Sequence, residues 1–433
     1  MYRIGHLTQR LAGPINDSPD RVRTSHAEEP RDSRAPACFV LYSNASHTAA
    51  YGLHSGSKHI EVPSSDQQTY TRPAEAGKHQ FIILSWPGTH PGYVTETGSG
   101  LSAESETIAA VVEAVAQFEP VRLVADQKYL EQAKTRFSGS NTTTAYSINV
   151  FSVSTGAPGT WMRDIAPTFT SSDDDGKLYG VDYNFNTWGN ETQNEASNRF
   201  ARSLLAHLDI PRISASITIE GGAIEVDGQG TLIASKSSII NDNRNPDQSR
   251  AQIEAELSRT LGIQKFLWVP GVKNLDATDF HIDAVARFVR PGVVLMANPH
   301  DPTDASKKDG AWIEAHREAR RILANSTDAH GRPLEIIDVL EPKFEVVVPD
   351  KETQDRLKGD KAAGHRPVFS YANYLLVKDG VILPQFGDAE ADAAALETLH
   401  MAFPERKVVP VMARALGMLG GGIHCASQEV PLV

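Results

Sequence analysis

Cysteine is scarce in this chain, whose 433 residues contain two, Cys38 and Cys425. At most one disulfide can form, which excludes a disulfide-stapled scaffold and a cysteine-rich metal site. A disulfide would also consume both thiols, so a reducing compartment, the cytoplasm, is the expectation. Four Asn-x-Ser/Thr sequons, at Asn44, Asn141, Asn190 and Asn325, pull weakly the other way. Long apolar runs are missing too: nothing approaches the roughly 18 residues that cross a bilayer, and residues 1–35 lack the apolar core of a signal peptide. No membrane association is expected. Positive charge is in deficit, with 42 Lys and Arg against 54 Asp and Glu and a net charge of −12. That balance disfavours a nucleic-acid partner and suits a cationic ligand. No repeat of fixed period stands out.

What is present fits a large α/β protein. Hydrophobic residues make up 40% of the chain and charged residues 22%, enough for a sizeable core. The first 70 or so residues scatter Ser, Asp, Arg, Pro and His without periodicity, so residues 1–70 read as a poorly ordered tail, with Ala37–Tyr42 as a possible docking strand. Residues 71–433 read as one catalytic domain. Within it Ile108, Val111, Val112 and Val115 recur at helical spacing after a cap at Ser102, and the run Val121–Ala125 follows as a strand. Ser249 and Gln252 form a capping box ahead of Ile253 and Leu257, and the strand Phe266–Val269 follows. Hairpin turns are marked by Asp227-Gly228, Pro291-Gly292 and Asp379-Gly380, each before an apolar run. The implied unit is strand, turn, strand, helix, strand.

The residues that carry chemistry cluster. Gly420-Gly421-Gly422-Ile423-His424-Cys425 places a thiol behind three residues without Cβ, where backbone can approach a small flat ligand. Cys425 reads as a nucleophile, with a buried inert cysteine as the plain alternative. Three other segments combine aromatic or glycine residues with carboxylates: Trp161-Met162-Arg163-Asp164, Glu220-Gly221-Gly222, and Asp279-Phe280-His281-Ile282-Asp283. If the last is extended, Asp279, His281 and Asp283 share one face, an imidazole between two carboxylates.

Together with Pro73-Ala74-Glu75, Trp86-Pro87, Phe185-Asn186, Trp188-Gly189, Asn243-Arg244-Asn245-Pro246, Ser370-Tyr371-Ala372-Asn373 and Phe386-Gly387-Asp388, these segments occur in the order found in one family. The chain resembles the agmatine deiminase and bacterial peptidylarginine deiminase family of guanidine-modifying enzymes, from about Pro73 to Pro431. The resemblance implies a pentein fold, a five-bladed α/β propeller about a pseudo-fivefold axis, and a homodimer as the assembly to test. It implies a guanidine deiminase with agmatine as first substrate, and neither cofactor nor metal.

A guanidinium is planar and always protonated, so its carbon becomes electrophilic only once its charge is gripped. On the resemblance, Asp164 and Asp283 grip it, Cys425 attacks its carbon, His281 is general acid and base, and Glu220 holds His281. Asn373 orients the thiol or a substrate nitrogen, or caps a turn. Trp161 covers the substrate, or is core. Asp279 stands beside His281 as a further substrate contact, or simply satisfies it. His424 points away from an extended segment and is read as structural.

Three stretches depart from the family: Gly189 to Asn194 in place of a glycine-rich, tyrosine-containing segment, Phe280 in place of glycine, and Lys236 with Ser238 in place of an acid and a cysteine. The first weakens agmatine, and Phe280 is expected to narrow or reshape the pocket. A peptidylarginine or other carboxylate-bearing alkylguanidine would need a cation, with Arg244 and Arg287 as candidates. An amidinotransferase and a non-catalytic guanidine-binding protein are the alternatives from other classes.

Overall fold

The structure, a computed structural model, describes residues 68–87, 101–138, 144–157, 159–189, 195–300, 307–362 and 366–433. Almost all of the 1–70 tail, including Ala37–Tyr42, Cys38 and Asn44, lies outside the described residues, as do Asn141 and the divergent stretch from Asn190 to Asn194.

One unit shows how the chain builds its sheets. Ile224–Val226 turns through Asp227-Gly228 and pairs antiparallel with Thr231–Ser235. Ser249 then caps the helix Arg250–Leu261 in a complete capping box with Gln252, and Gly262 ends it in the left-handed region at φ 70°. The returning strand Lys265–Val269 pairs parallel with Thr231–Ser235, Lys265 opposite Thr231. The same order recurs with Ala286–Arg290, Val293–Asn298, helix Lys307–Ala324 and Glu335–Leu340. It recurs again with Leu375–Val377, Gly380–Gln385, helix Ala389–Ala402 and Lys407–Met412. Thr168–Ser172, Leu178–Asp182, helix Glu195–Leu208 and Arg212–Ser214 make a fourth, with Tyr70–Thr71 added at its edge.

The fifth unit joins the two ends of the described chain. Ser427–Pro431 pairs antiparallel with His79–Trp86, which continues through helix Ala103–Val115 to the parallel strands Val121–Ala125 and Ile148–Phe151. The result among the described residues is five separate mixed sheets of three or four strands. The expected Asp379-Gly380 turn is formed, with Asp379 at φ 57°. Ser102 caps its helix by accepting from the Ser105 N–H.

Central strands read as continuous apolar runs because both faces are covered. Ile82, Ile83 and Leu84 are fully buried in succession. Ile108, Val111, Val112 and Val115 are likewise buried and share one core with Ile82, Leu84, Val121 and Leu123. Each such side chain contributes roughly 1.5–3 kcal/mol of burial. No helix among the described residues is long and apolar enough to cross a membrane.

Candidate active site

In every unit, the segment immediately before the first hairpin strand carries one or more of the residues singled out above. Asp164 sits on the short helix Met162–Ile165 ahead of Thr168–Ser172. Glu220 precedes the 3-10 turn Gly221–Ala223 ahead of Ile224–Val226, and His281 precedes the turn Ile282–Ala284, which contains Asp283, ahead of Ala286–Arg290. Asn373 lies two residues before Leu375–Val377, and Cys425 two before Ser427–Pro431. Sites distant in sequence thus become neighbours because equivalent ends of equivalent units meet.

They meet at a cavity lined by Trp161, Asp164, Trp188, His281, Asp283 and Cys425 among others. Asp164 is oriented by the Gly222 N–H, which donates to Oδ1 at 3.0 Å, and by Trp188 Nε1, which donates to Oδ2 at 2.9 Å. Asp283 receives the Cys425 thiol on Oδ2 at 3.3 Å, while its Oδ1 is buried without a hydrogen-bond partner. Asn373 brackets the cysteine: its Nδ2 donates to Sγ at 3.2 Å and its Oδ1 accepts the Cys425 N–H at 3.2 Å. His281 lies between Glu220, 3.4 Å from Nε2, and Asp164, 3.6 Å from Nδ1.

The glycines make this packing possible. A Cβ on Gly222 would stand 2.7 Å from His281 Nδ1, and one on Gly422 would stand 2.3 Å from Asn373 Oδ1. The backbone is bare there so that other side chains of the site can close in, a role the ligand-approach reading did not foresee.

The electrostatics follow from burying three carboxylates around one imidazole. Burial lowers the His281 pKa, but Asp164, Glu220 and Asp283 outweigh it and raise it to about 9, so His281 is charged at neutral pH. Glu220 stays ionised: burial pushes it up, and Arg244, whose Nε donates at 3.0 Å, together with His281 pulls it below the usual range. Burial raises Asp164, only partly offset by His281. Burial and the neighbouring Asp283 and Asp164 drive the Cys425 thiol well above its ordinary range. The cavity holds a neutral thiol in a negative field.

Several expectations need correction. Residues 279–283 are not extended: Asp279 and Phe280 have φ of 59° and 79°, and a 3-10 turn begins at Ile282. Ser237 and Ser235 fix that bend by donating to the Asp279 and Phe280 carbonyls at 2.6 and 2.7 Å. Ser238 in turn bonds Ser235. The twist turns Asp279 away from His281's side of the cavity. Its carboxylate takes Arg244 Nη1 at 2.6 Å and the Asn274 N–H at 2.6 Å, and it is not part of the cavity wall.

Phe280 does not enter the cavity either. It is fully buried behind the lining residue Trp312, ring centroids 4.8 Å apart. Arg244 and Arg287 are buried in ion pairs, with Glu220 and Asp279 and with Glu75 and Glu225 respectively. The arginine on the cavity wall among the described residues is Arg366, which lies 4.6 Å over the Trp312 ring. His424 is no bystander: it touches both Asp283 and Glu75. Glu75 belonged to a matching motif, Pro73-Ala74-Glu75, but nothing local in the sequence tied it to the cysteine.

The family model for Porphyromonas-type peptidyl-arginine deiminase matches residues 71–431. The agmatine deiminase of Pseudomonas aeruginosa is 34% identical over 379 residues, covering 84% of this chain and 95% of that protein. That of Medicago truncatula is 32% identical over 379 residues, covering 83% and 96%. Among solved structures, the agmatine deiminase of Enterococcus faecalis superposes with a TM-score of 0.70 at 27% identity, covering 84% of this chain and 96% of that one. The shared fold is the pentein fold, α/β with mixed sheets.

Proposed function

The chain belongs to the Porphyromonas-type peptidyl-arginine deiminase family, and from that membership and the cavity we propose that it hydrolyses agmatine to N-carbamoylputrescine and ammonia. It is a hydrolase of carbon–nitrogen bonds in linear amidines. The observation that carries the substrate reading is the buried, unpartnered Oδ1 of Asp283, in a cavity that also holds Asp164 and a thiol. A guanidinium supplies the donors that this oxygen lacks, and its positive charge offsets the two carboxylates. The relatives' names support agmatine in particular.

In this mechanism the seated cation removes the field that holds the thiol proton, and the proton leaves to solvent. Cys425 Sγ bonds the guanidinium carbon, and the His281 imidazolium protonates one nitrogen, which departs as ammonia. A covalent amidino-thioether remains. His281, now neutral, takes a proton from water as it attacks the same carbon. The carbon–sulfur bond then breaks, releasing the ureido product and the thiolate. Glu220 keeps His281 charged before the first step, Asn373 orients the sulfur, and Trp161 covers the bound cation. The five sheets are taken as five blades about one axis, supported by the common strand–helix order and by the equivalent placement of the site segments.

Arg366 favours a second reading, in which the substrate carries a carboxylate at its distal end, as a peptidylarginine C-terminus does. Ammonia release is measured with agmatine, free arginine and a short arginine peptide in parallel, with Cys425→Ala as control. Turnover of agmatine above the others, lost on the order of 10⁴-fold or more in the control, supports the first reading. Preference for a carboxylate-bearing guanidine moves the assignment to the second, and no release from any of them refutes both.

A further inference from the structure

We infer that His424 is a buried, doubly protonated imidazolium that positions Asp283, occupying its Oδ2 and so reserving its Oδ1 for the substrate. This rests on the reading of Asp283 as a guanidinium ligand. His424 is fully buried beside Cys425. Its Nδ1 stands 2.8 Å from Asp283 Oδ2, and its Nε2 stands 3.0 and 3.1 Å from the two oxygens of Glu75. Both ring nitrogens therefore face carboxylates. A neutral imidazole has one donor and one acceptor nitrogen, so one of these contacts would set a lone pair against a carboxylate with no water to intervene. Only the doubly protonated ring satisfies both.

The carboxylates are themselves held ionised. Glu75 accepts from Arg163 Nη1 at 2.9 Å and from Arg287 Nη2. Burial raises Asp283, but His424 outweighs it and draws its pKa to about 2. Beyond Glu75 the charged neighbours are Arg72, Glu225 and Glu429. On the cavity side they are Asp164 and His281, which with the Cys425 thiol complete the surroundings. With Oδ2 taken by His424 and the thiol, Oδ1 is the oxygen of this cavity-lining carboxylate left without a donor.

The full-length chain labelled with ¹⁵N-histidine tests the charge state without reference to turnover. The expected spectrum at pH 7 shows two ring N–H groups on His424. A single protonated ring nitrogen at pH 7 overturns the inference. The positioning role is tested in His424→Gln and His424→Asn. Once either is shown to melt as a folded protein, kcat/KM is expected to fall roughly 10- to 100-fold, the range for one hydrogen bond to a charged group. Alkylation of Cys425 by iodoacetamide should require higher pH than in wild type, because a nearby positive charge has been removed. Unchanged kcat/KM and an unchanged alkylation profile in a folded variant overturn the role. If neither variant folds, the labelled wild type decides. If wild type releases no ammonia from any guanidine, the functional reading fails while the His424 resonances still decide its charge.

Discussion

Two clusters of buried charge lie side by side in this protein, and they are built on opposite rules. In one, Arg72, Arg163 and Arg287 interleave with Glu75, Glu225 and Glu429. Arg287 reaches Glu75 and Glu225, Arg163 reaches Glu75 and Glu429, and Arg72 reaches Glu429 at 3.1 Å. In the other, around the cavity, Asp164, Asp283 and Glu220 surround His281 and a neutral thiol, and Arg244, which pairs with Glu220, is shared with Asp279. The first cluster answers its charges within the protein and ties the segment around Arg72 and Glu75 to the closing strand Ser427–Pro431. The second leaves negative charge unanswered and Asp283 Oδ1 unpartnered. Both clusters hold buried polar atoms without a hydrogen-bond partner, so the difference between them is one of charge: the first pairs three arginines with three glutamates, whereas the second keeps an excess of carboxylates that the proposed guanidinium would offset. His424 sits on the boundary, with one nitrogen in each cluster.

The contrast is most directly broken in the charge-balanced cluster. Arg287→Met removes the guanidinium that pairs with Glu225 and leaves Glu75 to Arg163, Arg72 and His424, and chemical denaturation should show a loss of about 3–5 kcal/mol. A loss below 1 kcal/mol would mean that the cluster is as tolerant of imbalance as the cavity.

The next effect is in pH. His281 is raised from its ordinary 6.5 to about 9 in the folded chain. Its contribution to stability is therefore complete below about pH 6.5 and disappears as pH climbs through about 9. This is worth on the order of 3 kcal/mol, and His281→Gln should remove that dependence from denaturation curves taken between pH 6 and pH 10. Deiminase activity should fall over the same rise, since the leaving nitrogen loses its proton donor.

Neutralising a charge in the incomplete cluster should cost little. Asp164→Asn should change stability by less than about 1 kcal/mol, because burial already disfavours its charged form, while abolishing measurable ammonia release. A large destabilisation without loss of activity would recast Asp164 as structural. The smallest effect belongs to the surface: Arg320 and Asp338 pair at 2.7 Å but are 49% and 33% exposed, and Arg320→Ala should cost no more than about 1 kcal/mol in thermal melts.

Local pattern alone determined a good deal of this protein. Helix Ala103–Val115 with its Ser102 cap, the Ser249–Gln252 capping box, the strand Val121–Ala125 and the hairpins at Asp227, Pro291 and Asp379 are set by neighbours a few residues apart, and the chain carries that information directly. Motif order likewise picked out the thiol, the imidazole and the carboxylates at Asp164, Asp283 and Glu220.

What the tertiary structure decided was which side each charge faces. Asp279 and Asp283 lie four residues apart in one motif, yet two consecutive residues at positive φ send the first to Arg244 and leave the second at the cavity. Phe280 supports Trp312 from behind, Arg366 arrives on the wall from elsewhere in the chain, and His424 meets Glu75, a contact separated by 349 residues. A helix or turn is chosen by energies among adjacent residues, whereas the state and role of a buried charge depend on burial and on partners that only the folded chain brings within hydrogen-bonding distance.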